Sequence, residues 1–198
     1  MYAAILGIVF FAATAMMVRE GLWSNTITLI NVIVAGLVAF GFYSPVALWV
    51  DESLNGQFTY LVDFVSIWVL YVVTMVILRF FSNALSKTRM RFKNPFDKVG
   101  GPLMALFAAE VLVGFVLATL HTAPLKEGAI AYEDSEVATA SGFMNPDLAW
   151  LRFVERVSSP QALGASGGAQ FSAKSFVKIY RDHRKKFEAA PSLKVRRG

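Results

Sequence analysis

The sequence NPFDKVGGPLMALFAAEVLVGFVLATL, residues 94–120, decides the fold of this chain. It opens with a helix-start pattern, because Asn94 can cap a helix and Asp97 complements the positive end of the helix dipole. The apolar run that follows is long enough to cross a bilayer, which takes roughly 20 residues. One carboxylate, Glu110, lies inside the run, where a charge is costly. We therefore predict a transmembrane helix over residues 101–120, with Glu110 facing protein or water.

The first part of this stretch combines a proline with small residues. Pro102 allows two interpretations, a helix that starts at Gly101 or a kink in a helix that begins at Pro95, and we favour a kinked or broken helix. Small side chains let two membrane helices approach closely. They recur here at near-helical spacing and predict a helix-packing face: Gly100, Gly101, Ala105, Ala108 and Ala109.

Composition places the chain in a membrane. Of its 198 residues, 56% are hydrophobic and only 17% are charged, whereas about a quarter of residues are charged in a soluble domain. Cysteine is absent, which excludes disulfides, thiolate metal sites and cysteine nucleophiles. The net charge of +5 is concentrated in residues 79–98 and in the C-terminal tail. No basic block carries the aromatic residues typical of nucleic-acid binding, so we expect membrane lipids as partners and no nucleic acid.

The fold class that we predict is all-α, with four transmembrane helices and a partly helical C-terminal tail. The spans are residues 2–18, 23–42, 61–81 and 101–120. A cleaved signal peptide is the alternative for the first run, because Ala13, Thr14 and Ala15 resemble a cleavage site. No basic segment precedes that run, so we favour a retained helix. Ser44-Pro45 is expected to end the second span.

Basic residues in the short loops set the predicted orientation. The third loop region carries six of them and the second loop carries none, and positive charge stays in the cytoplasm. The first and third loops are therefore predicted to be cytoplasmic, and four crossings leave both termini outside. Four of the six basic residues lie among apolar ones and form a predicted headgroup-binding segment at the membrane surface: Lys87, Arg89, Arg91 and Lys93.

The chain divides into two predicted units. Residues 1–121 form the four-helix transmembrane domain, and residues 122–198 form an extramembrane tail. Within the tail, Asn145-Pro146-Asp147 repeats the helix-start pattern. A second apolar periodicity follows over residues 172–189, with a strongly basic opposite face. The tail is therefore predicted to contain two short amphipathic helices.

Residues that could carry chemistry are few. His121 and His183 are far apart and lack the spacing of metal ligands, so we expect no metal, no cofactor and no enzymatic activity. Glu110 is the main candidate for function, as a carboxylate in an ion or proton pathway between helices. The alternative for Glu110 is a structural one, a neutral carboxyl or one hydrogen-bonded to Asn31, Thr74 or Ser66.

Two short motifs carry a resemblance to a known family. Arg19-Glu20-Gly21-Leu22 follows the first apolar run, and Phe96-Asp97-Lys98-Val99-Gly100-Gly101 leads into the last one. Together with the number of spans, their order and spacing over residues 1–120 resemble the colicin V production protein (CvpA) family of bacterial inner-membrane proteins. The resemblance implies a role in export-linked toxin production and in envelope homeostasis, with no established chemistry.

Two functions follow as hypotheses. The first is an inner-membrane scaffold or accessory protein of the CvpA type, which forms a homo-oligomer or binds another membrane protein through the face from Gly100 to Ala109. The second is a small oligomeric channel or transporter with a pathway lined by Glu110. Four spans are few for a pore in a single chain, so the second hypothesis requires oligomerisation.

Overall fold

A computed structural model describes residues 2–18, 20–54, 59–85, 94–125, 145–162, 164 and 170–189. All regular structure in these residues is helical, which confirms the all-α prediction. The helices are α1 (Tyr2–Met17), α2 (Leu22–Ser53), α3 (Thr59–Leu85), α4 (Asn94–Leu120), α5 (Pro146–Val157) and α6 (Ala173–Ala189).

Three helices, α2, α3 and α4, form the centre of the structure. The start of α2 lies against the start of α4, since Asn25 Nδ2 donates to the carbonyl oxygen of Gly101 at 2.9 Å. Further along, Gly36 of α2 lies against Phe115 of α4. These two helices therefore run in the same direction. On the other side of α2, Ser82 donates to Asn31, so the end of α3 lies beside the first half of α2 and α3 runs in the opposite direction.

Among the residues that the structure describes, three helices are long and apolar enough to cross a membrane, and the prediction of four spans is wrong in this respect. The candidate spans are Leu22–Ser53, Leu61–Leu85 and Asp97–Leu120. Helix α1 has 16 residues and is about 24 Å long, whereas a hydrocarbon core is about 30 Å thick. It packs against α4 instead. Apolar composition alone suggested that α1 spans the membrane, but this helix is shorter than the hydrocarbon core is thick.

Proline does not end the second helix as predicted. Helix α2 continues through Pro45 to Ser53, well beyond the predicted end at residue 42. A proline removes one backbone hydrogen bond. Helix α3 contacts α2 on both sides of Pro45, since Ser82 donates to Asn31 before it and Thr59 donates to Asp51 after it. Helix α4 likewise begins at Asn94 and includes Pro102, so its start precedes the predicted span. The structure agrees with the interpretation in which the helix begins before Gly101.

The two C-terminal helices share one core with the central helices. Phe115 of α4 is fully buried and stacks on Tyr71 of α3, with ring centroids 4.2 Å apart. Trp150 of α5 lies nearly perpendicular to the Phe115 ring, with ring centroids 5.8 Å apart. From α6, Phe176 packs on Phe40 of α2 at 5.7 Å. Aromatic pairs at such distances add to the stability gained from burial. Helices α5 and α6 are therefore integral to the packing of the membrane helices.

Two glycines allow α5 to approach this closely. A side-chain carbon placed on Gly114 would lie 2.6 Å from the carbonyl oxygen of Pro146. One placed on Gly36 would lie 2.5 Å from the ring of Trp150. Atoms cannot approach to these distances without a shift of the backbone or of a buried ring. Glycine at both positions thus allows the first turns of α5 to pack closely against α2 and α4.

Candidate functional site

Glu110 lines a cavity of about 180 Å³ between α2, α4 and α5. Its other walls are apolar and are formed by Ile33, Val111, Gly114, Pro146, Ala149, Trp150 and Phe153. Phe153 is 38% exposed, so one wall of the cavity reaches the surface of the protein. The sequence predicted that Glu110 would face protein or water. It did not predict that α5 would form half of the cavity beside it.

Two polar atoms of this cavity's residues are buried without a hydrogen-bond partner. They are Oε1 of Glu110 and Nε1 of Trp150. Of the partners suggested for Glu110, Asn31 instead accepts a hydrogen bond from Ser82 at 3.2 Å. A buried polar atom without a partner is destabilising. Both atoms therefore have an unmet hydrogen bond beside the apolar walls of the cavity.

The predicted helix-packing residues lie in the interior of the folded protein. Gly101, Ala105, Ala108 and Ala109 are buried. A side-chain carbon on Gly100 would lie 3.1 Å from the side chain of Leu22. The contacts of α4 with α1, α2 and α5 therefore occupy this small-residue face. Association with a second protein through the same face would require this packing to open.

The two motifs that carry the family resemblance lie against each other. The backbone N–H of Leu22 donates to Oδ1 of Asp97 at 2.8 Å, so Asp97 satisfies the first N–H of α2 and places a negative charge at its positive end. A side-chain carbon on Gly101 would lie 3.2 Å from the carbonyl oxygen of Glu20. The sequence predicted that Asp97 would serve its own helix, whereas the structure shows that it also joins α2 to α4.

A buried polar cluster that sequence reasoning missed lies at the end of α4. His121 Nε2 and Asp147 Oδ2 are 2.9 Å apart, and both side chains are fully buried. Arg184 of α6, also buried, donates from Nη1 to the carbonyl oxygen of His121 at 2.8 Å. This cluster joins the end of α4, the first turn of α5 and the middle of α6. The signal available in the sequence was a histidine that directly follows a membrane span.

A second polar contact connects α6 to α3. Tyr180 donates its hydroxyl hydrogen to Oδ2 of Asp63 at 2.7 Å, and its oxygen lies 3.4 Å from the hydroxyl of Tyr43. Burial, together with the negative charge of Asp63, raises the pKa of Tyr180 above its ordinary value. The phenol therefore stays protonated and remains a hydrogen-bond donor at neutral pH.

A polar cavity of about 140 Å³ lies between α2 and α3 at the opposite end of the helices. Its walls include Glu20, Arg79 and Asn31, and Ser24 donates to Glu20 at 2.6 Å. The predicted headgroup-binding residues Lys87, Arg89, Arg91 and Lys93 lie outside the described residues. Within the described part of the chain, no group of three or more His, Asp or Glu side chains could hold a metal ion.

A family model described as colicin V production protein matches residues 3–145. The chain belongs to this family. Comparisons with curated proteins and with solved structures returned no match. Family membership and three long apolar helices identify a multi-pass membrane protein.

The family match covers α1 to α4 and stops one residue before α5 begins. Helices α5 and α6 thus lie beyond the part that the colicin V production family model describes. They nevertheless complete the core around Phe115, and α5 completes the cavity around Glu110. In this member of the family, the cavity combines two helices of the matched region with one that follows it.

Proposed function

We propose that the protein is a scaffold or accessory protein of the bacterial inner membrane that supports toxin production or export and envelope homeostasis. The proposal assigns it a binding role and no catalytic step. Its starting point is membership of the colicin V production family. The single observation that carries it is the exposed face of α6, which the core holds in place.

Helix α6 has one face in the core and the other on the surface. Phe176 and Tyr180 are buried, so the helix is fixed on the central helices. On the opposite side, Ile179 is 51% exposed and lies beside the exposed Lys178. An exposed apolar side chain with basic neighbours, held on a rigid helix outside the spans, is a favourable place for a partner to bind. We propose that a membrane-protein partner or a second copy of the chain contacts this face.

A photoreactive amino acid at position 179 tests this proposal. We expect a discrete crosslinked adduct in intact membranes, with twice the mass of the chain if the partner is a second copy. Ile179→Glu should reduce co-purification in mild detergent by about fivefold, because loss of an apolar contact at an interface costs about 1 kcal/mol or more. Mass spectrometry of the adduct identifies the partner.

The matched control is the same photoreactive group at Gln161, which is also exposed but lies outside α6. Equal adduct yields at positions 161 and 179 would contradict the proposed binding face. A channel is the less supported alternative, because the walls around Glu110 are apolar in the single chain.

We also propose an orientation. The end of the structure where α2 and α4 begin carries Arg79 and Lys98, and the sequence that links α3 to α4, residues 86–93, is basic, so we place this end in the cytoplasm. The opposite end, with Ser53 and α6, is then outside. The expected position of the N-terminus outside depended on α1 crossing the membrane, and α1 is not among the candidate spans.

Cysteine labelling tests the orientation directly, because the chain contains no cysteine. Ser53→Cys and Ala84→Cys each introduce one thiol at an exposed position near opposite ends of the helices. A membrane-impermeant maleimide added to spheroplasts should label the first variant and should label the second only after permeabilisation. The reverse pattern would exclude the proposed orientation.

A further inference from the structure

We infer that the cavity between α2, α4 and α5 binds a primary ammonium group carried on an apolar body, with Glu110 as its charged partner. This inference goes beyond the proposed scaffold role and does not depend on it. It rests on three properties of the cavity: its unpartnered carboxylate oxygen, its aromatic wall and its size.

The carboxylate defines the charge of the ligand. Oε1 of Glu110 is buried and accepts no hydrogen bond, and every other residue that lines the cavity is apolar or aromatic. A carboxylate in such surroundings is stabilised by a cation that donates hydrogen bonds to it, and the resulting pair has no net charge. Since no basic side chain lines the cavity, a ligand would have to supply the cation.

The aromatic wall favours an ammonium group over a metal ion. Trp150 and Phe153 are neighbours in this wall, with ring centroids 5.7 Å apart. The faces of aromatic rings attract organic cations, whereas hard metal ions require several oxygen ligands.

The size of the cavity limits the apolar body. A cavity of about 150 Å³ holds one benzene molecule, and this one measures about 180 Å³. A single ring or a short alkyl chain with an aminomethyl group therefore fits. Because Phe153 is partly exposed, the ligand can reach the cavity from the surface. The same ammonium chemistry is available from the ethanolamine headgroup of a lipid and from a free lipophilic amine.

Benzylamine titrated into the purified full-length protein in detergent tests the inference, with benzyl alcohol as the uncharged ligand of the same shape. We expect saturable quenching of tryptophan fluorescence by benzylamine, with an affinity about tenfold or more above that of benzyl alcohol, since hydrogen bonds to a charged group are the stronger kind. Trp150→Phe should remove most of the signal, which assigns it to this cavity rather than to Trp23, Trp49 or Trp68.

Glu110→Gln is the decisive variant, because it keeps the shape of the side chain and removes its charge. It should abolish the preference for benzylamine, while Glu155→Gln on α5, which does not line the cavity, should leave that preference intact. Thermal unfolding of each variant shows that it is folded. Three results would each overturn the inference. The first is equal affinity of the wild type for the amine and the alcohol, and the second is a full preference for the amine in Glu110→Gln. The third is no saturable binding, as expected for a cavity that holds only water.

Bilayer nanodiscs distinguish the two sources of the ammonium group. If the lipid headgroup is the natural ligand, benzylamine should bind more weakly in phosphatidylethanolamine than in phosphatidylglycerol, because the headgroup competes for Glu110. Equal affinity in the two bilayers would assign the site to a free lipophilic amine.

Discussion

Replacing Asp147 with alanine should lower the free energy of unfolding by about 1 to 3 kcal/mol, the usual cost of leaving a buried polar group without its hydrogen-bond partner. Asp147 lies 2.9 Å from His121, and neither side chain is exposed. Arg184 in turn bonds to the carbonyl oxygen of His121. Loss of the carboxylate leaves buried polar groups without their acceptor and loosens the contact between α4, α5 and α6.

Reversible unfolding in mixed micelles, titrated with SDS and followed by circular dichroism, measures this effect. Asp182→Ala on α6 is the matched control, since Asp182 is exposed and should change stability by no more than about 0.5 kcal/mol. Asp147→Asn should fall between the two, because the amide keeps one acceptor oxygen. If Asp147→Ala and Asp182→Ala are equally stable, the buried cluster does not hold the C-terminal helices.

Phe115→Ala should be destabilising by about 3 to 5 kcal/mol, the range for truncating a large core aromatic residue. Phe115 is fully buried and contacts rings from α2, α3 and α5, including Tyr71 at 4.2 Å and Phe40 at 5.9 Å. The cavity left by the ring lies where these helices meet, so several contacts weaken together.

The same unfolding titration measures this effect. Phe107→Ala on the same helix is the control, because Phe107 is 56% exposed and its loss leaves no internal cavity. We expect a change of about 0.5 kcal/mol or less for the control. A similar loss of stability in both variants would mean that Phe115 contributes only apolar surface, as any residue of α4 does, and does not organise the core.

The candidate site could be predicted from the sequence only in part. Glu110 stood out because a carboxylate within an apolar span is costly and therefore rare. Its surroundings could not be predicted, since half of the cavity comes from α5, more than 30 residues further along the chain. In the sequence, His121 marked the end of the last span, and Asp147 was part of a helix-start pattern. Their pairing is a long-range contact, and no local pattern encodes it.

The errors in the predicted fold have a common origin. The end assigned at Pro45 and the span assigned to residues 2–18 both came from local rules, one for proline and one for apolar composition. Tertiary packing overrides the first rule, because α3 supports α2 on both sides of Pro45. The second rule ignores that a helix must also be long enough to cross the hydrocarbon core.

By itself, the sequence determined that the chain belongs in a membrane and that its long apolar segments are helices. Both follow from properties of each segment alone. A long apolar segment is more stable in lipid than in water, and lipid offers no hydrogen bonds to the backbone, so the segment must form a helix. Only the tertiary structure decided that α2 and α4 run in the same direction, that α5 and α6 join their core, and that Glu110 lines an apolar cavity with one wall at the surface. These features depend on which helix faces meet, and that is set by the fit of distant side chains such as Gly114 and Trp150.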